Sequence, residues 1–238
     1  MKTADLRIHD AFSAWCIAIR DLLLPRGCAG CDAPDEVLCP SCAALFRHAY
    51  SRQLPGKVGY CYGCSWYQGA VRHAILNWKD HGDEECDRIF AVLMADLTAK
   101  VLRRQGACAH GCALALVPAP SSPSSMHRRG RWQTLPLTRL MSRSLNVDGL
   151  CAVTKPVLKL EGVHGKSVQA AGAASRSRRI DGHVHVAQDL SGDDSLFVVV
   201  DDIVTTGATM GQCMSALTAA GARRVIGLAL ACTPNRSQ

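Results

Sequence analysis

The stretch Phe197-Val198-Val199-Val200-Asp201-Asp202-Ile203-Val204-Thr205-Thr206-Gly207-Ala208-Thr209 constrains this chain more than any other. Leu196 to Val200 is a short, mostly β-branched apolar run, which predicts a buried strand of a parallel sheet. Met210, Met214 and Leu217 then recur at i, i+4, i+7, the apolar face of a helix that stops near Gly221. Strand, polar turn and helix start, in that order, make an anion site. The helix N-terminus presents unpaired N–H groups and a partial positive charge, and Thr205, Thr206 and Thr209 add hydroxyl donors. Gly207 allows a positive φ or a close backbone approach.

Asp201 and Asp202 separate this loop from an ordinary phosphate cradle. Carboxylates repel phosphate, so they are expected to face sugar hydroxyls or a divalent cation with its water shell. The implied ligand is a sugar phosphate, its phosphate on the Thr/Gly turn (Thr205 to Thr209) and its vicinal diol on the acidic pair. The bland alternative is a βα turn with an N-cap threonine and solvated aspartates; the whole ordered string favours the ligand site.

At 238 residues the chain can hold one α/β domain and a small appendage, and 48% hydrophobic content suffices for a core. The formal charge of +7 is compatible with anionic ligands or nucleic acid and decides between neither. Arginine clusters at Arg103-Arg104, Arg128-Arg129-x-Arg131, Arg176-x-Arg178-Arg179 and Arg223-Arg224 read individually as solvated surface. No signal peptide is read in the apolar run from Ala11 to Leu24, which Arg20 and Asp21 interrupt, and no segment has the length to span a membrane. The expectation is a cytoplasmic protein with no membrane insertion.

The thirteen cysteines include three Cys-x-x-Cys pairs, a metal or redox spacing rather than a secreted disulfide scaffold. Cys28-Ala-Gly-Cys31 and Cys39-Pro-Ser-Cys42 lie close enough in sequence for two knuckles to close one tetrahedral site. So few large apolar residues accompany them that a structural Zn²⁺ is expected to be the main stabiliser. Redox-active thiols and plain buried cysteines are the alternatives. Cys61-Tyr-Gly-Cys64 has no fourth pair to complete a second site, and its cysteines read as strand residues. The organisation expected is an amphipathic helix over residues 1–24, a zinc-ribbon-like module over 25–57 and an α/β domain over 58–238.

Val199 to Thr209 resembles the phosphoribosyl-pyrophosphate loop of type I phosphoribosyltransferases, an acidic pair followed by Thr-Thr-Gly-x-Thr. With the paired cysteine knuckles, the chain from about Leu22 to Ala231 resembles the ComF family, linked to DNA uptake in naturally competent bacteria. The resemblance implies a type I phosphoribosyltransferase-like parallel sheet flanked by helices, binding phosphoribosyl pyrophosphate with Mg²⁺. It implies displacement of pyrophosphate at the anomeric carbon if a reaction follows, with the acceptor unidentified and no catalytic base assigned. It also implies roles for particular residues. Val117-Pro118-Ala119-Pro120-Ser121 resembles the loop that cradles pyrophosphate through its backbone N–H groups. Lys79, at a helix end, and Arg129, on a mobile arginine-rich loop, would be charge partners of the phosphates. Arg131 and Trp132 depart from the family pattern; Trp132 reads as packing rather than as a base-stacking ring. The segment from Val153 to Asp181 suits a flexible lid. The alternative function is a non-enzymatic adaptor, using the zinc module and arginine clusters to track single-stranded DNA among DNA-uptake proteins. An amidophosphoribosyl reaction is weaker still, since the chain shows no amidase domain.

Overall fold

A computed structural model describes residues 27–80, 84–106, 113–160 and 184–234. The expected N-terminal helix, and most of the expected lid with Gln169 and Arg179, lie outside the described residues.

Six strands form the main sheet: β1 (Tyr50–Gln53), β2 (Tyr60–Trp66), β3 (Ala113–Pro118), β4 (Cys151–Thr154), β7 (Leu196–Val204) and β8 (Arg224–Cys232). Their spatial order is β1-β2-β8-β7-β3-β4, parallel throughout except for the antiparallel edge strand β1. A separate antiparallel pair is made by β5 (Leu158–Leu160) and β6 (Val184–Val186). The central strand β7 is an apolar run because both of its faces are covered. Leu196, Val198 and Val200 meet one core; Phe197 and Val199 meet the other.

The first core lies under three helices. In α2 (Gly69–Asp80) the buried residues are Val71, Ala74, Ile75 and Trp78, the i, i+3, i+4, i+7 stripe of an amphipathic helix. Beside it pack α3 (Cys86–Arg104), through Phe90, Met94, Leu97 and Val101, and α5 (Thr134–Val147), through Leu137, Met141 and Leu145. The opposite face carries α6 (Ala208–Ala219), burying Met210, Cys213, Met214 and Leu217, together with β5 and β6. The expected architecture, a mostly parallel sheet with helices on both faces, is therefore present.

This topology fixes where a crevice forms. From β3 the chain crosses through α5 on the first face to β4; from β7 it crosses through α6 on the second face to β8. Adjacent strands β3 and β7 thus send their connections in opposite directions. Such a switch point opens a crevice outside the carboxyl ends of the two strands, flanked by the loops that follow them.

One local expectation needs correction. Residues 123–129, read as a Ser/Pro stretch running into a mobile arginine loop, form the short helix α4 (Pro123–Arg129). Ser122 caps it by accepting from the Ser125 N–H at 3.1 Å, Pro123 occupies its first turn, and Gly130 ends it at φ 72°. The cysteine segment packs against the main sheet. Its short helix α1 (Pro40–Ala44) leads directly into β1, the edge of the main sheet, and Cys28, Leu38, Cys42 and Phe46 belong to the core under α2 and α3.

Candidate functional site

β7 runs on past its apolar half to Val204, so Asp201 and Asp202 are strand residues rather than loop residues. Alternation starts their side chains toward opposite faces. Each then curls over the following amide: Asp201 Oδ1 accepts from the Asp202 N–H at 2.8 Å, and Asp202 Oδ1 from the Ile203 N–H at 2.6 Å. Asp202 is buried and forms an ion pair with Lys79, which α2 delivers to the strand end from the first face. Burial of its carboxyl, and then the charge of Asp202, push the Asp201 pKa up to about 7 against the pull of Lys79. Near neutrality this doublet therefore carries less than two negative charges, and one of them is already met by an ammonium.

The turn follows at once. Thr205 and Thr206 are exposed, Gly207 sits at φ 84°, ψ 2°, and α6 begins at Ala208. The positive φ demands glycine here, and a Cβ would also meet Leu54 Cδ2 at 2.8 Å. Thr206 Oγ1 accepts from the Ala208 N–H at 3.3 Å. The N–H groups of Thr206 and Gly207 make no hydrogen bond among the described residues. Asp201, Ile203 to Thr209 and Met210 line a small hollow of about 30 Å³. Asp201 and the threonine turn share this concavity at the carboxyl end of the central strand, whereas Asp202 does not line it and pairs with Lys79.

The loop after β3 lies next to it. Pro118 pairs in register with Val200, and the Ala119 N–H donates to the Val200 carbonyl at 2.8 Å. That bond corrects the expected cradle. Prolines 118 and 120 have no N–H and the Ala119 N–H is spent on the sheet, so within 118–121 only Ser121 has a backbone donor left to offer. The loop is held from below instead: Trp132 Nε1 and Thr134 Oγ1 both donate to the Ala119 carbonyl, at 2.8 and 3.0 Å.

Arg131 is occupied structurally. Its guanidinium makes a bidentate pair with Asp87 at 2.7 and 3.0 Å, and Trp78 Nε1 donates to the same carboxylate at 2.5 Å. Arg129 pairs with Asp80 at 3.1 Å, and Gln133 donates to the Lys79 carbonyl at 3.1 Å. The arginine-rich turn therefore braces the end of α2 that carries Lys79. Both cations read as phosphate partners, Lys79 and Arg129, are held by carboxylates here. Sequence reasoning missed Arg52, which reaches the threonine turn from β1; a lone arginine in a strand of four residues carries no motif.

Cys28, Cys31, Cys39 and Cys42 converge, with their sulfur atoms all within 4.8 Å of one another. Cys31 Sγ and Cys39 Sγ are 3.7 Å apart, against roughly 3.8 Å for two thiolates on one tetrahedral zinc ion with bonds near 2.3 Å. The N–H groups of Cys39 and Gly30 point at Cys28 Sγ, at 3.2 and 3.4 Å. Burial opposes ionisation of that thiol, yet these amides and that of Cys31 outweigh it and hold its pKa down at about 7. Four sulfurs at ligand spacing fit a metal ion of zinc's preferences. Cys61 and Cys64 take no part. Both are buried in β2, Cys61 beside the Cys232 thiol and Cys64 donating to the Leu93 carbonyl at 3.8 Å.

Comparison with known proteins identifies no relative: no family model matches the chain, and no curated protein matches it. No helix among the described residues is long and apolar enough to cross a membrane.

Proposed function

We propose that the chain binds phosphoribosyl pyrophosphate, or a closely related sugar phosphate, at the carboxyl end of β7. The observation that carries this reading is the single concavity formed by Asp201, the Thr205–Thr209 turn and the start of α6. The 5′-phosphate would take the free amides and hydroxyls of the turn, where the helix N-terminus favours negative charge. Asp201 and Asp202 would accept from the ribose hydroxyls. The pyrophosphate would lie toward Ser121, with Lys79 and Arg129 as the cations within reach once they leave Asp202 and Asp80.

Magnesium enters this reading as an ion carried on the ligand's phosphoryl oxygens, which is how Mg²⁺ commonly reaches a phosphate site. Two adjacent carboxyl groups suit its water shell, and its positive charge would favour the ionised form of Asp201. When bound, the ion would neutralise charge on the pyrophosphate. If a reaction follows, this chain's own contribution is positioning the anomeric carbon and stabilising charge around it. No side chain in the concavity is assigned as a base, and the acceptor is left open. Zinc belongs to the tetrathiolate module and has a structural role. Resemblance to the ComF family ties the proposal to DNA uptake; the adaptor reading stands second, because Arg129, Arg131 and Arg223 are paired with carboxylates rather than aligned as a stripe for a strand.

A thermal-shift panel tests the proposal. Phosphoribosyl pyrophosphate with Mg²⁺ is expected to raise Tm in a concentration-dependent way, nucleoside monophosphates less so, and short oligonucleotides not at all. Stabilisation by oligonucleotides alone would favour the adaptor.

A further inference from the structure

Arg52 stands on β1, ten residues after the last cysteine of the module, and its guanidinium reaches the threonine turn. Nη1 donates to the Thr205 carbonyl at 2.5 Å and to the Thr233 carbonyl at 3.3 Å, while Nη2 donates to the Thr206 carbonyl at 3.4 Å. Thr233, just past β8, pulls on the same groups: its Oγ1 donates to the Thr205 carbonyl at 3.0 Å and its N–H to the Val204 carbonyl at 2.9 Å. Arg52 does not line the hollow above the turn.

A trans peptide unit is planar, so its C=O and the N–H of the next residue point in opposite directions. Drawing the carbonyls of Thr205 and Thr206 onto Arg52 therefore turns the amides of Thr206 and Gly207 to the other side of the loop. Those two amides make no hydrogen bond among the described residues. Successive N–H groups facing one way, completed by a left-handed glycine, form a concavity for an anion. Arginine suits the task where lysine would not, because a planar fork can hold two successive carbonyls at once.

We infer that Arg52 is the positioning residue of this turn, holding its carbonyls inward so that the Thr206 and Gly207 amides face the ligand. The inference rests on the sugar-phosphate reading above. It also joins the tetrathiolate module to the site. β1 follows the module directly, and Asn77 of α2, the helix bearing Lys79, donates to the Ala29 carbonyl at 2.8 Å between two of the cysteines. The module thereby supports both the strand that carries Arg52 and the helix that carries Lys79.

Calorimetry on the full chain, with Mg²⁺ and phosphoribosyl pyrophosphate and separately with inorganic phosphate, tests this on wild type, Arg52→Ala and Arg52→Lys. Loss of a charge-assisted clamp is expected to weaken binding about tenfold or more in Arg52→Ala, with Arg52→Lys only partly recovered. Millimolar methylguanidinium should restore affinity to Arg52→Ala and leave wild type unchanged, which a loss of general stability would not do. Backbone amide resonances of Thr206 and Gly207 should respond to inorganic phosphate in wild type and fall silent in Arg52→Ala. Equal affinities in wild type and Arg52→Ala would overturn the inference while leaving the sugar-phosphate reading in place. So would lost binding that methylguanidinium cannot rescue in either variant. A wild-type chain that binds neither probe would overturn the reading itself.

Discussion

Asp201 sits in an environment far from what its identity suggests. Its folded pKa, about 7, lies above the ordinary carboxyl value of 3.8, so the folded state holds a proton that the unfolded chain releases. The sign follows: this group favours the fold most below about pH 4, and that contribution is lost as pH rises from there toward 7. Asp201→Asn should remove this slope and raise Tm above pH 7 relative to wild type, by a few degrees on the order expected for about 1 kcal/mol; a thermal-melt series from pH 4 to 8 checks it. Arg131 illustrates the opposite case, a charge paired with a buried carboxylate. Arg131→Ala leaves Asp87 buried without its cation and is expected to cost about 3–5 kcal/mol in urea unfolding. Neither environment was legible in the sequence. Arg131 and Asp87 are 44 residues apart, Arg52 and Thr205 are 153 apart, and only the folded sheet brings them together.

Elements with a strong repeating pattern could be read in advance, and short ones could not. α2, α5 and α6 follow from apolar spacing, and β2, β3, β7 and β8 from buried runs bounded by turn residues. β1, β4 and β5 have three or four residues each and alternate too briefly to register; they exist because a neighbouring strand supplies the ladder. α4 hid behind its own composition, since serine and proline mark loops and helix starts alike. The acidic doublet and threonine turn stand out in the sequence as a candidate site because polar residues interrupt a strand that should otherwise be apolar. The loop after β3 was misread for a physical reason: its sequence suits a turn, but its one early amide completes the ladder to Val200. At this scale Gly207→Ala is the decisive variant. It places a Cβ at φ 84° against Leu54 and Pro55, so Tm should fall by several degrees and phosphate binding should be lost together. Circular dichroism melts and calorimetry on one sample follow both.

In the whole molecule the cysteine module packs against the sheet edge and against the helix that carries Lys79. Chelation should therefore do more than release a metal. Loss of zinc is expected to lower Tm markedly, because the module has little apolar mass of its own, and to weaken ligand binding through β1 and α2 as well. Atomic absorption before and after chelation, read beside the melts, separates a metal effect from a general one. The central claim is that the acidic doublet and the threonine turn hold a phosphorylated pentose. Isothermal titration of phosphoribosyl pyrophosphate in Mg²⁺ into wild type and into Asp201→Ala/Asp202→Ala tests it most directly. Saturable one-site binding that the double substitution abolishes is the expected result; an isotherm indifferent to both aspartates would contradict the account.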